Sequence, residues 1–131
     1  MTCSALCRST PPFSDNELLD EGKILIDKVA ARIADVSVSD RSLIWNTDLI
    51  ETLELDNMLP QAVVTMHSAS NRHESRGAHM HESFPDRNDA EWMKHTLAWR
   101  EGTAVRIDYR AVHDYTLTDE IEYIKPKARV Y

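Results

Sequence analysis

The side chains best suited to chemistry in this sequence are its six histidines. Two of them, His79 and His81, alternate along the chain and precede Glu82. Alternate residues of an extended segment project to the same side, so this run has the residue types of a metal site. Zinc sites need three or four protein ligands, and no third and fourth ligand and no H-E-x-x-H pattern accompany the pair. Hydrogen-bonded loop histidines are therefore favoured, and no metal ligand is assigned.

Nucleotide-binding and nucleophile motifs are missing from the sequence. Its three glycines, Gly22, Gly77 and Gly102, are too far apart for G-x-G-x-x-G or a phosphate-binding loop. No serine stands in a G-x-S-x-G elbow. Carboxylate pairs such as Glu51 and Glu54 have helical spacing, which is typical of solvated helix faces or caps. The sequence predicts no complete catalytic site and no cofactor-binding site.

Three arginines in the polar stretch of residues 72–91 are the remaining candidates: Arg72, Arg76 and Arg87. A guanidinium group binds carboxylates through two parallel hydrogen bonds, so carboxylate partners are expected. The partners could be internal or on another surface, and the sequence leaves both open. Gly77 and Pro85 break regular structure here, and long irregular segments in compact domains are usually functional or docked.

The chain has 131 residues, of which 42% are hydrophobic and 28% charged, and its net charge is −7. This length and composition predict one globular domain. An acidic surface repels phosphate backbones, so no nucleic acid is expected as a partner. No run approaches the roughly 20 apolar residues of a membrane span, so no direct membrane insertion is expected. Cys3 and Cys7 favour two free thiols in a reducing compartment, with a disulfide or redox pair as the alternative.

Apolar spacing predicts two long helices. Ser14 and Glu17 form a capping-box pattern before a stripe that predicts a helix over about residues 16–36, in which Gly22 permits close helix approach. A second helix is predicted to start near residues 46–48 and to run to about residue 71. It is apolar on most sides, which predicts burial between layers. Pro60 predicts a kink near residues 56–60.

Shorter elements follow the polar stretch. A short helix is predicted within residues 86–93, capped by Asp86 or Asn88, and a hairpin is predicted from strands at 95–99 and 104–109 joined by residues 100–103. The rest of the chain from Val112 is expected to be an extended tail. The predicted fold class is mainly α: a helical bundle of two long helices and a short one, followed by a small β-hairpin and the tail.

The predicted organisation is a poorly ordered segment at 1–13 and one domain at 14–131. Its helical part covers residues 14–72 and its loop and hairpin part covers residues 73–131.

Residues 71–79, 84–89 and 92–99 resemble the C-terminal domain of the succinate dehydrogenase flavoprotein subunit. The resemblance continues upstream through 40–57 and downstream through 105–110, 115–118 and 123–131, so it covers about residues 16–131. The core motif Glu74-Ser75-Arg76-Gly77-Ala78-His79 is also shared with fumarate reductase and aspartate oxidase.

The resemblance implies a family that oxidises succinate to fumarate with covalent FAD. The family's flavin-linking histidine, dicarboxylate-binding residues and proton-shuttling arginine lie upstream of this domain, and His79 and His95 are not among them. The chain alone is therefore expected to bind no FAD and to be inactive. It departs from the family pattern at a few positions, namely Pro60, Met80, His81 and Ser83.

The implied role is a non-catalytic part of an enzyme in the tricarboxylic acid cycle and electron transport. The expected partners are the FAD-binding domain of the same subunit and the iron–sulfur subunit. The expected location is peripheral, on the cytoplasmic face of the bacterial inner membrane or the matrix face of the mitochondrial inner membrane. Arg76, His79 and Arg87 are expected to dock on the FAD-binding domain. Met1 falls where the family chain is well under way, which suggests a truncated, split or excised piece; the alternative is a stand-alone helical interaction module.

Overall fold

The fold is given by a computed structural model that describes residues 16–127. Its elements in chain order are the helix α1 (Asn16–Ala31), a 3-10 turn (Ile33–Asp35), the helix α2 (Thr47–Asn71), the short helix α3 (Asp89–Trp92) and the strands β1 (Lys94–Glu101) and β2 (Ala104–Ala111). The predicted fold class is confirmed. The segment 1–13 that was expected to be poorly ordered lies outside the described residues, as do residues 128–131.

Helices α1 and α2 pack against each other through a small apolar core of Ile26, Ala30, Leu59 and Val63. The predicted close approach at Gly22 is confirmed, because a Cβ atom there would lie 2.4 Å from the terminal methyl carbon of Met66. The stripe of α1 ends earlier than predicted, since the chain tightens into the 3-10 turn after Ala31.

Polar side chains join the same two helices at two points, and a lysine of α1 supports one of them. His67 Nε2 lies 3.0 Å from a carboxylate oxygen of Asp27. Ser70 donates a hydrogen bond to Asp20 over 2.7 Å, and Lys23 pairs with the same carboxylate at 2.8 Å. These contacts fix the register of α1 along the second half of α2.

Helix α2 begins as predicted, with Asn46 as its N-cap accepting a hydrogen bond from the Leu49 N–H over 2.8 Å. The helix runs unbroken through Pro60, and the kink stays a prediction. The expectation that α2 is buried between layers is wrong for its first half within the described residues. The buried apolar side chains that α2 contributes to the core are Leu59 and Val63. Four large apolar side chains earlier in the helix are 43–56% exposed: Leu49, Ile50, Leu53 and Met58.

The predicted hairpin is confirmed, but its strands are longer and its link shorter than expected. The register pairs Glu101 with Ala104, which leaves a two-residue turn of Gly102 and Thr103. Gly102 has a φ of +65°, as the first position of a type II′ turn requires. Residues 112–127 form no helix or strand, as predicted for the tail. Among the described helices, none is long and apolar enough to cross a membrane.

Candidate functional site: the charged junction

A cluster of five charged residues fills the segment between α2 and α3, and we call it the charged junction: Arg72, Glu74, Arg76, Arg87 and Asp89. At its centre the Glu74 side chain is 0% exposed. Arg76 donates to both Glu74 carboxylate oxygens, from Nε at 2.8 Å and from Nη2 at 3.0 Å. Arg72 donates from Nε at 3.0 Å, and the Asn88 backbone N–H donates at 3.0 Å. The buried carboxylate is thus enclosed by two guanidinium groups and a backbone amide.

The ion pairs decide the charge state of Glu74. Burial raises the pKa of this carboxyl, but hydrogen bonds from Arg76, the Asn88 N–H and Arg72 outweigh it and hold the pKa below its ordinary value. The Glu74 carboxylate in turn raises the pKa of Arg76, against the effect of burial and with help from Asp89. Glu74 is therefore an ionised structural partner and not a proton donor near neutral pH.

Asp89 is the second carboxylate of the junction, and it bridges two arginines. Arg76 Nη2 donates to it over 2.6 Å and Arg87 Nη2 over 2.8 Å. The hydrogen bond from Arg76 is the main reason why the pKa of Asp89 is lowered. Arg87 Nη2 also lies 3.2 Å from the Pro126 carbonyl oxygen, so the junction holds part of the extended tail.

Arg72 connects the junction to the hairpin. Its Nη2 donates to the Trp92 carbonyl over 2.8 Å, and its Nη1 reaches the Lys94 carbonyl and the Thr96 hydroxyl, each over 3.2 Å. A single side chain therefore joins the end of α2 to the end of α3 and the start of β1.

The motif Glu74-Ser75-Arg76-Gly77-Ala78-His79 forms a tight turn. Backbone hydrogen bonds link Arg76 and His79 in both directions, over 2.8 and 3.1 Å. Gly77 has a φ of +62°, a conformation that suits glycine. The turn brings His79 Nε2 within 3.1 Å of the Arg72 carbonyl, to which it donates. In this chain the side chains and backbone of the motif therefore hold a folded loop together.

The residues after the turn are held by hydrogen bonds of Ser75 and by contact between the His81 and Phe84 rings. The Ser75 hydroxyl accepts from the His81 N–H over 2.9 Å and donates to the Phe84 carbonyl over 2.8 Å. The His81 ring is buried, with its centre 4.9 Å from that of Phe84. The His79 and His81 rings meet edge to face at 6.2 Å. Across residues 16–127 no group of three or more His, Cys, Asp or Glu residues is placed to hold a metal ion.

An open cleft of about 490 Å³ lies beside the junction. Its lining includes several basic side chains and, among the described residues, neither Asp nor Glu: Arg72, Arg76, His79, Lys94 and His95. Lys94 Nζ lies 4.6 Å from the Trp92 ring centre and 3.9 Å from that of Tyr109, so aromatic faces hold this ammonium group in place. The cleft thus carries basic side chains on a chain with a net charge of −7, and two of them, Arg72 and Arg76, already pair with Glu74.

The structure brings Arg76, His79 and Arg87 into one segment, as the sequence predicts. It assigns them internal partners, which was one of the two open alternatives, and their docking on another domain stays a prediction. Sequence reasoning missed Glu74 and Asp89 as those partners. The signal was available, since both carboxylates stand two residues from an arginine, where a turn can bring the side chains together.

The described residues do not fit a dinucleotide cofactor such as FAD. A pyrophosphate site of the usual kind needs a glycine-rich turn between a strand and a helix. Here Gly22 packs against Met66 within the helix pair, and Gly77 and Gly102 stand in two separate turns. No chemical step through a flavin is assigned to this chain.

This chain is similar to known flavoprotein subunits. The family described as fumarate reductase flavoprotein C-term matches residues 5–131. The mitochondrial succinate dehydrogenase [ubiquinone] flavoprotein subunit of Oryza sativa subsp. japonica is 56% identical over 119 residues, which are 91% of this chain and 19% of that protein. The succinate dehydrogenase flavoprotein subunit of Rickettsia felis is 53% identical over 120 residues, or 91% of this chain and 20% of that protein.

A solved structure has the same fold. An E. coli quinol fumarate reductase FrdA chain superimposes with a TM-score of 0.74 at 34% identity, covering 84% of this chain and 19% of that one. The chain thus spans about a fifth of the length of the relatives that it matches.

Proposed function

Because this chain belongs to the family of fumarate reductase and succinate dehydrogenase flavoprotein C-terminal domains, we propose that it supports succinate oxidation to fumarate without catalysing it. In this proposal it packs on the FAD-binding region of the flavoprotein subunit. The reaction and the FAD belong to residues outside the match, and the chain's contribution is to complete and hold the fold of that region. Such a subunit would act in the tricarboxylic acid cycle and electron transport.

The observation that carries the proposal is the internal pairing of the charged junction. Glu74, Asp89 and the three arginines bind one another and the backbone, so their geometry stabilises a loop and leaves no group poised for proton transfer. The junction nevertheless keeps surface toward a partner, since the side chains of Arg76 and Arg87 are 25% and 23% exposed. Together with His79 and Lys94 of the cleft, they would meet polar or acidic groups of the FAD-binding region.

Further partners and a location follow from the same proposal. The flavoprotein subunit would assemble with an iron–sulfur subunit, and the domain would be peripheral to an inner membrane through that assembly. The face would be cytoplasmic in a bacterium or the matrix face in a mitochondrion. The relatives named above come from both settings.

The test is complementation of a flavoprotein subunit that lacks the matched region. Co-expression with this chain should restore bound flavin and succinate oxidation, while the purified chain alone shows no flavin absorbance and no activity. Stoichiometric FAD on the chain alone would overturn the proposal. In the same assay Arg87→Gln should weaken complementation, and the matched control Arg110→Gln, on the exposed face of β2, should not.

A stand-alone interaction module is the second candidate function. The exposed apolar residues in the first half of α2 favour it, since monomeric proteins rarely leave such a face uncovered. Indifference of the flavoprotein subunit to the co-expressed chain would support this candidate over the first.

A further inference from the structure

Three consecutive apolar side chains stand almost wholly in solvent just before α2, and we call residues 43–45 the apolar loop. Leu43 is 99% exposed, Ile44 75% and Trp45 91%. Single exposed apolar residues are ordinary, whereas contiguous patches of large ones usually mark a contact surface.

The apolar loop is held in shape by hydrogen bonds on both sides. The Asp48 carboxylate accepts from the backbone N–H groups of Ser39, over 2.7 Å, and Asp40, over 3.0 Å. The Asn46 side chain donates to the carbonyls of Asp40, over 3.0 Å, and Ser42, over 2.9 Å. The exposure of the three apolar side chains is therefore a property of an organised loop.

Trp45 has a φ of +57°, the only positive value for a residue other than glycine among residues 16–127. The left-handed region is disfavoured for any side chain with a Cβ atom, and a bulky aromatic residue there is an outlier. Strained residues of this kind cluster at sites where function retains them. Nothing inside the described chain is stabilised by the Trp45 side chain, since it is 91% exposed.

The apolar loop continues onto one face of α2. Leu49, Ile50 and Leu53 are three or four residues apart, so they share that face, and they are 43%, 53% and 56% exposed. The whole surface combines a tryptophan with aliphatic side chains, which is the composition of the core of a stable protein interface.

We propose that the apolar loop and this face of α2 dock on the part of the flavoprotein subunit that lies outside the matched region. The inference rests on the proposed function and adds a second contact to it. The apolar loop precedes the first residue of α2 and the charged junction follows its last. A helix of 25 residues is about 37 Å long, so the two contacts are well separated.

The size of the relatives allows one body to reach both contacts. In the rice protein the match of 119 residues is 19% of the chain, which leaves about 500 residues, and a globular region of that size is about 60 Å across. A lipid surface is the less suitable occupant, because the three carboxylates that flank the apolar loop, Asp40, Asp48 and Glu51, outnumber the single cation Arg41, and anionic headgroups repel them.

A photo-crosslinking experiment identifies the occupant. Residues 1–131 of this chain replace the matched region of the rice flavoprotein subunit, and benzoylphenylalanine is incorporated at Leu43. A second protein carries it at Leu117, which is 97% exposed and lies in the tail, as a matched control. Irradiation of the assembled complex should link position 43 to the flavoprotein region outside the match. Adducts with an iron–sulfur subunit, a second copy or lipid, or no adduct above the control, would overturn the proposal.

Affinity gives an independent readout in the complementation system. Leu43→Ser should weaken binding to the subunit that lacks the matched region by about tenfold or more, as expected for a residue of an interface core, and Leu117→Ser should leave it unchanged. Both variants should melt like the unmodified chain, because neither side chain is packed. Equal affinities for the two variants would overturn this inference alone. Failure of the unmodified chain to bind would overturn the proposed function as well.

Discussion

The two ends of α2 differ in whether their notable side chains have partners within the chain. At the C-terminal end, the charged junction turns its groups toward each other, and Glu74 is buried among arginines. At the N-terminal end, the apolar loop turns Leu43, Ile44 and Trp45 into solvent. The C-terminal end is the more highly charged in the sequence, yet the N-terminal end is the one whose exposed side chains are not covered by the described chain.

The difference follows from what each kind of group needs. A buried charge needs a partner of opposite sign, and a short turn can supply one from two residues away. An apolar side chain needs other apolar surface to pack against, and the eleven residues between the 3-10 turn and α2 do not cover Leu43, Ile44 or Trp45. The charged junction therefore finds its main partners within the chain, whereas the apolar loop finds none among the described residues and, in our proposal, is covered by another surface.

The largest effect should come from removing the buried charge at the first end. Glu74→Gln leaves Arg72 and Arg76 without their common carboxylate, which should lower the free energy of unfolding by about 3–5 kcal/mol. Urea denaturation measures it. Glu82→Gln, an exposed change in the same loop, should stay within about 0.5 kcal/mol. If Glu74→Gln lowered the free energy of unfolding as little as Glu82→Gln does, the buried ion pairs of the junction would contribute nothing to stability.

Acid should affect the same end of the helix. The pKa of Glu74 is lowered in the folded chain, because bonds from Arg76, the Asn88 N–H and Arg72 outweigh burial. A lowered pKa means that the ionised carboxylate is more stable in the folded chain than in the unfolded chain, so ionisation of Glu74 stabilises the fold. This stabilisation is complete above the ordinary glutamate pKa of about 4.3 and is lost as the pH falls through the lowered value.

The measurement is the free energy of unfolding between pH 6 and acid, compared between the unmodified chain and Glu74→Gln. The decrease should be smaller in the variant. A decrease of the same size in both would assign the acid sensitivity to other carboxylates.

A moderate effect is expected from the cap that organises the apolar loop. Asn46→Ala removes the acceptor for the Leu49 N–H and the donor to two loop carbonyls, which should cost about 1–2 kcal/mol. Thermal unfolding measures it. Asn57→Ala, an exposed change in the middle of α2, should be neutral or slightly stabilising, since alanine has the higher helix propensity. A neutral Asn46→Ala would show that the loop keeps its shape without the cap.

The smallest effect has the opposite sign. Trp45→Asn should raise the free energy of unfolding by about 0.5–1 kcal/mol, because asparagine tolerates a φ of +57° better than tryptophan does. Ile44→Asn, at a neighbouring residue without a positive φ, should bring no such gain. A destabilised Trp45→Asn would show that the indole makes contacts that its exposure does not suggest. We expect this variant to gain stability while it loses affinity for the flavoprotein subunit.

The predictions that were confirmed depended on the preferences of single residues and their near neighbours in the sequence. The helix starts at Asn46 and Asn88, the hairpin turn at Gly102 and the close approach at Gly22 each depend on residues near in sequence or on one small side chain. The exposure of the first half of α2 could not be predicted, because burial depends on what packs there and the apolar pattern alone does not identify it. The internal partners of Arg76 could not be predicted without the turn at Gly77. The positive φ of Trp45 could not be predicted either, because tryptophan is not a residue type that favours this conformation.

The hairpin has a consequence for how copies of the chain behave toward each other. Within residues 16–127, β1 and β2 pair only with one another, so the outer edge of each strand offers backbone donors and acceptors to any strand that approaches. Such edges are templates for aggregation unless charged side chains guard them. Strand β2 carries such charges at its exposed positions Arg106, Asp108 and Arg110. We expect these charges to disfavour pairing between the hairpins of neighbouring molecules.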